Sequence, residues 1–305
     1  MSRRITVLMG GTSSEREVSL RSGAAAAKAL VEAGFVVETV DVGADISKLV
    51  ADITASKPDV VFNALHGRFG EDGCVQGLLN LMNIPYTHSG VLASAAAMDK
   101  GFSRQLFAEA GLPVAKGLVV HRKDGGADPM ERPFVVKPVN EGSSVGVYIM
   151  KPGDNRDPLG EWPFQADHVL VEEFVPGREL TVAVMGDRAL GCLEITSERG
   201  FYDYDAKYAP GGSKHIMPAP VPADIAAEAC RLAVQAHKVL GCRGVSRADL
   251  RYDDTVAGRS RLVILEVNTQ PGMTATSLVP DIASYCGISF PELVRWMVEQ
   301  AECDA

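Results

Sequence analysis

ITVLMGGTSSEREVSLRSGAAAAKAL, residues 5–30, decides how the first third of the chain folds. An apolar run over 5–9 meets the pair Gly10–Gly11. A polar stretch with Glu15, Arg16 and Glu17 follows, then a run of small residues. The pattern reads as strand, tight turn, helix, with the helix expected over 22–34 and Gly34 as its stop. A nucleotide-binding βαβ unit opens in this way. Yet a dinucleotide site needs G-x-G-x-x-G after the strand, and here the residues are GGTSSE, which removes a dinucleotide-dependent oxidoreductase. A carboxylate, Glu15, stands where a phosphate would be repelled, so this turn has a different partner.

Working outward, strands are expected over 35–40 and 59–67 and a helix over 73–82. Strands alternating with helices indicate parallel βαβ units, whose ligands sit at the carboxyl ends of the strands. Glu15 and His66 both lie just past such an end, so one cleft can hold both. A helix ending at Gly111, with Pro113 beyond it, then leads into β-rich segments: GLVVH, FVVKPV, VYIM, HVLVEEFV and LTVAVMG. The stretch 151–167 is rich in proline, which opposes a long helix there. A helix over 224–240, strands over 245–252 and 261–268 and a helix over 290–301 complete the chain.

With 305 residues the chain can form two or three packed units, and 46% hydrophobic with 23% charged residues is the make-up of a globular protein. A net charge of −9 argues against a polyanion-binding surface, so no nucleic-acid partner is expected. The six cysteines contain no C-x-x-C pair and read as reduced thiols. The apolar run after the N-terminal arginines is too short for a secretory signal and no stretch has membrane-spanning length, so a cytoplasmic protein without a membrane partner is expected.

The sharpest chemical signal lies late in the chain. In RLVILEVNTQPGMTATSLVP, Glu266 and Asn268 are two apart on a strand and face the same way. Arg247 and Asp249 do likewise in VSRADLRY. If the two strands are neighbours, Asp249, Glu266 and Asn268 converge as hard oxygen ligands suited to Mg²⁺. A solvent-facing edge is the alternative. In FVVKPVNEGSSVGV, Lys137 ends an apolar strand and can reach a phosphate, while the loop 141–146 can wrap one with backbone N–H groups or be a plain hairpin tip. In HVLVEEFVPGRELTVAV, the segment from Glu172 to Glu179 can line a purine and its ribose or form a charged edge, and spacing alone does not choose. RGFYDYDAKYAPGGSKH is a long polar loop with three tyrosines, the composition of a lid that keeps water from a reactive intermediate.

Taken together, GGTSSEREVSLRSG, ALHGRFGEDG, IPYTHSGVLASAAAMDK, VKPVNEGSSVGV, FYDYDAKY and EVNTQPGMTATSLVP resemble, in order and over nearly the whole chain, the D-alanine–D-alanine ligases of the ATP-grasp superfamily. The resemblance implies an α/β and α+β fold. Residues 1–97 would form a Rossmann-like parallel-sheet domain, 98–180 a central ATP-grasp subdomain, and 181–305 a C-terminal subdomain with the catalytic and metal residues. By the same resemblance, Lys100 and Lys137 hold the phosphates of ATP, and Ser143 and Ser144 lie in the loop over them. Glu172, Phe174, Val175 and Glu179 contact adenine and ribose. Asp249, Glu266 and Asn268 hold two Mg²⁺ (or Mn²⁺). Arg247 and the N–H of Gly272 stabilise the oxyanion. Lys207, Ser277 and Leu278 receive the carboxylate of the second D-alanine, with Lys207 also near the nucleotide. Glu15 binds the ammonium of the first, with His66 beside it to orient substrate. Hydrogen bonds among Glu15, Ser143 and Tyr208 would tie cleft, phosphate loop and lid together.

The implied reaction is ATP-dependent joining of two D-alanine molecules through an acyl phosphate, supplying a peptidoglycan precursor, in a homodimer. Tyr208 and Lys207 favour an amine acceptor over D-lactate. A ligase for another acceptor and a non-catalytic binding protein are the competing readings, and the intact Asp249, Glu266, Asn268 set opposes the second. Two positions depart from the family pattern. Glu173 stands where lysine is frequent, and Gln270 replaces a more usual serine and reads as peripheral.

Overall fold

The computed structural model describes residues 2–124, 128–140, 142, 146–155, 157, 159, 167–196, 213–256, 259–274 and 276–304. The first unit runs β1 (Arg4–Gly10), α1 (Arg16–Glu32), β2 (Val36–Val42), α2 (Ile46–Ser56), β3 (Val60–Asn63) and α3 (Cys74–Leu81). Its strands form a parallel sheet in the order β2-β1-β3. Strand β3 is buried along its whole length, as a strand covered on both faces must be. Helix α1 begins six residues earlier than expected. Glu15 is its N-cap, and Arg16 and Glu17 form its first turn, because the buried stripe on the sheet side already starts at Val18 and Ser19. Gly23 is needed in that stripe: a Cβ there would lie 2.4 Å from the Cβ of Met9 on β1.

Helices α4 (Val91–Met98) and α5 (Lys100–Glu109) follow as two pieces rather than one. Asp99 is extended between them and accepts the Phe102 N–H at 2.8 Å as the N-cap of α5. Next comes an antiparallel sheet, order β4-β7-β5-β6, made of β4 (Gly117–His121), β5 (Phe134–Pro138), β6 (Tyr148–Met150) and β7 (His168–Glu173). The chain then enters a five-stranded antiparallel sheet, order β10-β9-β8-β11-β12. Its strands are β8 (Arg178–Met185), β9 (Arg188–Thr196), β10 (Lys214–Ile216), β11 (Val245–Val256) and β12 (Arg259–Asn268), with α6 (Ala223–Val239) packed on one face. Helices α7 (Leu278–Tyr285) and α8 (Phe290–Glu299) close the chain.

The largest core joins the ends of the sequence. Ile5, Val7, Ala26, Leu30 and Phe62 pack in one cluster with Ala183, Leu193, Val245, Ile282, Leu293 and Met297. Each large side chain buried there contributes roughly 1.5–3 kcal/mol, so the first unit leans on the last for its stability. A polar clasp adds to it. Asp304 accepts the Val91 N–H at the start of α4 (2.8 Å), Asn80 Nδ2 (3.1 Å) and Arg243 Nη1 (2.9 Å), while Glu302 bridges to Tyr86 beside β3. All six cysteines are free, and no helix among the described residues is long and apolar enough to cross a membrane.

Candidate active site

The turn after β1 carries Glu15, the N-cap of α1, to the loop after β3. Ser13 Oγ donates to the His66 carbonyl at 2.7 Å and accepts the Glu15 N–H at 3.2 Å, which pins this turn to the loop after β3. The Glu15 carboxylate is 7% exposed. A Cβ on Gly67 or on Gly142 would stand 3.0 Å from its Oε2, so the backbone approaches it from two sides. Gly67, at φ +68°, also has a conformation that favours glycine.

His66 is buried, its Nε2 3.2 Å from Ser22 Oγ on α1, and Ser22 Oγ also accepts the Met273 N–H at 3.3 Å. Burial, with the charge of Arg247 adding to it, lowers the His66 pKa to about 4, so the ring is neutral near pH 7. A neutral, fixed imidazole orients a neighbour better than it delivers protons.

Sequence reasoning missed Glu71. Burial and the charge of Glu15 push its pKa well up, while the Gly67 N–H, Lys100 and Arg247 pull it down. The Gly67 N–H donates to its Oε1, so the loop after β3 holds this carboxylate in place. Its place five residues after His66 gave no signal, because its character comes from what is folded around it.

Strands β11 and β12 are neighbours, the condition under which these residues converge. Asp249 lies opposite Glu266 and Arg247 opposite Asn268. Arg247 grips Asp249 with two parallel bonds, Nε to Oδ1 at 2.8 Å and Nη2 to Oδ2 at 2.7 Å, and Thr181 Oγ1 donates to Oδ1 at 2.6 Å. Lys100 Nζ is 3.3 Å from Glu266 Oε2. Asn268 Oδ1 accepts the Gln270 N–H at 2.8 Å, which fixes the amide. Among the described residues no three His, Cys, Asp or Glu side chains close around one ion. Two facing carboxylates and an amide oxygen nevertheless fit a hard divalent cation that takes its other ligands from phosphate and water.

Gln270 is not peripheral. It is 1% exposed. Its Oε1 accepts from Asn63 Nδ2 at 2.7 Å and its Nε2 donates to the Leu65 carbonyl, fastening the loop after β12 to the end of β3. In the same loop, a Cβ on Gly272 would lie 2.9 Å from Ser277 Oγ, and that hydroxyl accepts the Thr274 N–H at 2.9 Å. Ser277 is the N-cap of α7 and Leu278 its first residue, so the free N–H groups of a helix start face this loop.

On the four-stranded sheet, Lys137 lies inside β5 and is 7% exposed. Its Nζ is 2.5 Å from Glu172 Oε1, and Arg104 Nη1 is 3.2 Å from Oε2, so buried Glu172 carries two cations. Arg104, on α5, was also missed; its Nη2 donates to the Ala115 carbonyl at 2.7 Å. Phe174 and Val175 follow β7, and Glu179 lies on β8. Glu173 turns aside: its carboxylate accepts the Lys116 N–H at 2.7 Å and pairs with Arg261, which holds its pKa below the usual range. Ser143, Ser144, Lys207 and Tyr208 lie outside the described residues.

A parallel three-stranded unit, then a sheet bearing a lysine, then a sheet bearing paired carboxylates is the build of an ATP-grasp enzyme. The family models for the D-ala D-ala ligase N-terminus and C-terminus match residues 43–89 and 106–299. A D-alanine–D-alanine ligase of Paramagnetospirillum magneticum is 73% identical over 307 residues, covering 100% of both chains. One of Rhodospirillum rubrum is 58% identical, again over 100% of both. Among solved structures, a D-alanine–D-alanine ligase from Bacillus anthracis complexed with ATP superposes with a TM-score of 0.82 at 27% identity, covering 98% of this chain and 97% of that one. The chain belongs to the D-alanine–D-alanine ligase family.

Proposed function

We propose that this chain joins two D-alanine molecules to D-alanyl-D-alanine at the expense of ATP, as a step in making peptidoglycan precursors. The observation that carries the reading is the register of β11 and β12, which holds Asp249 opposite Glu266, with Arg247 Nη2 2.7 Å from Asp249 Oδ2 and Lys100 Nζ 3.3 Å from Glu266 Oε2, the kinds of group this reaction asks for as metal ligands, oxyanion donor and phosphate-binding lysine. The relatives named D-alanine–D-alanine ligase over their full length support it.

Glu15 pairs with the ammonium of the first D-alanine, and His66 holds that substrate in place. Its carboxylate attacks the γ-phosphorus of ATP, the bond to the bridging oxygen breaks, and an acyl phosphate and ADP form. Lys100 and Lys137 hold the phosphates under the loop of Ser143 and Ser144, with Glu172, Phe174, Val175 and Glu179 around adenine and ribose. Two Mg²⁺ (or Mn²⁺) held by Asp249, Glu266 and Asn268 would offset the charge on the transferring phosphoryl group. Lys207, Ser277 and Leu278 hold the second carboxylate. The second amine, neutral when it attacks, adds to the acyl carbon, and Arg247 with the Gly272 N–H bears the oxyanion before phosphate leaves. A single donor of this kind is often worth roughly 3–4 kcal/mol. Tyr208 on the lid closes the network with Glu15 and Ser143 and favours a peptide product. A cytoplasmic homodimer is part of the same reading, as is the division at 97 and 180.

The test is ADP release with ATP, Mg²⁺ and D-alanine, compared with L-alanine and with D-alanine plus D-lactate, the products being identified by mass. Release with D-alanine alone, yielding the dipeptide, is expected. ATP turnover without that dipeptide would send the reading to another acceptor.

A further inference from the structure

Between Glu173, the last residue of β7, and Glu179, on β8, the chain passes from the four-stranded to the five-stranded sheet. Two arginines of the five-stranded sheet hold this passage. Arg251 on β11 is in register with Glu179. Its Nε donates to the Val175 carbonyl at 3.1 Å and its Nη2 to the Gly177 carbonyl at 3.0 Å, while Nη1 lies 3.5 Å from Glu179 Oε2. The Arg251 and Glu179 side chains are 13% and 15% exposed. Arg261 on β12 pairs with Glu173 at the other end. Gly177 sits at φ +90°, and a Cβ there would collide with the Tyr252 carbonyl at 2.2 Å, so the passage lies hard against β11.

This is a costly arrangement for stability alone. Burial lowers the Arg251 pKa against the pull of Glu179, so the guanidinium gives up hydration to be there. The contacts use three separate nitrogens of a planar fork, a spacing that a lysine's single ammonium nitrogen does not reproduce. What the fork fixes is the position of one carboxylate relative to one stretch of backbone.

We propose that Arg251 is a positioning residue for the nucleotide: by clamping Val175, Gly177 and Glu179 into one rigid unit it sets the recognition of the ribose hydroxyls, and with it the preference for a ribonucleotide. The inference rests on the reading of Glu179 as the ribose carboxylate. Arg251 acts through Glu179 and the passage, the groups its guanidinium holds.

The test compares ATP with 2′-deoxy-ATP in steady-state kinetics for the unmodified enzyme, Arg251→Met, Arg251→Lys and Glu179→Gln, with KM for D-alanine and the thermal midpoint measured alongside. Arg251→Met is expected to raise KM for ATP by about tenfold, the worth of one charge-assisted hydrogen bond, with KM for D-alanine unchanged. It is also expected to reduce the ATP preference to that of Glu179→Gln. Arg251→Lys restores the pairing with Glu179 without both carbonyl contacts and should fall between. The proposal is overturned if Glu179→Gln loses the preference while Arg251→Met keeps it, whatever the thermal midpoint does, and the ribose role of Glu179 then stands. If Glu179→Gln itself keeps the preference, that role fails and the proposal with it. Equal rises in KM for ATP and D-alanine would mean general loosening and would also overturn it. Should Arg251→Met not fold, Arg251→Lys decides the question: an unmoved preference ratio refutes the proposal.

Discussion

The first unit and the five-stranded sheet supply the two walls of the same site by opposite means. In the first unit, strands β1 and β3 are largely buried, and Glu15, His66 and Glu71 all sit in loops beyond strand ends. In the five-stranded sheet, Arg247, Asp249, Glu266 and Asn268 are on the strands themselves, in register across β11 and β12. A parallel sheet covered on both faces has no wall to offer and must use its loops. An antiparallel sheet with one open face offers the wall directly. Strand-borne groups are therefore held by register, and loop-borne groups by contacts with each other.

The contrast can be tested most severely at Arg247. On the proposed function, Arg247→Met removes the oxyanion donor as well as the partner of Asp249, and kcat should fall by roughly 10²–10³-fold while the fold, followed by circular dichroism, persists. A loss below tenfold would place the oxyanion elsewhere. On the loop side, Glu15→Gln should raise KM for the first D-alanine by about ten- to a hundredfold, the range of a charge-assisted hydrogen bond, and leave ATP affinity as it was. Equal losses for both would deny Glu15 its ammonium.

Acid should affect both walls. His66 and His88 in the first unit and His237 on α6 have pKa values lowered by burial to about 4, about 3 and about 4. Each is neutral when folded but takes up a proton near pH 6.5 when unfolded. Stability is thus unaffected above pH 6.5 and is lost as pH falls toward 4, by roughly 2 kcal/mol per histidine at pH 5. Urea midpoints from pH 7.5 to 5 would measure this. His237→Gln, which can keep a bond to Ser246 Oγ (2.7 Å from His237 Nδ1), should flatten the curve, and an unchanged slope would mean that this ring does not titrate as described. The smallest effect belongs to the stitch between the walls. A double-mutant cycle on Asn63 and Gln270 should return a coupling of about 1 kcal/mol, and a coupling near zero would remove Gln270 as a stitch.

The same contrast explains what the sequence disclosed. Side chains on a strand alternate with period two, so Arg247 with Asp249 and Glu266 with Asn268 could be put on common faces from spacing alone. Loop residues carry no period. Glu15 and His66 could be placed past strand ends, but Glu71 drew no notice, because a glutamate in a Gly-rich turn reads as solvated until burial beside Glu15 is known. Strand β9 has no clear signal in the sequence because Gly191 interrupts its apolar alternation where the pairing with β8 slips by a residue. Helix α7 is masked in the sequence because Pro280 in its first turn looks like a breaker although a first turn tolerates it. By what it replaces Gln270 looks peripheral, whereas its importance lies in Asn63 and Leu65, some two hundred positions earlier.

The clasp at Asp304 has a consequence for biosynthesis. The sheet of the first unit gains its neighbour Glu302, and its core gains Leu293 and Met297, only from residues near position 300. A ribosome therefore releases some 200 residues after the first unit is made before that unit can be completed. The residues that pack on Leu293 and Met297 lack that cover through the interval, a state in which a chaperone would protect them.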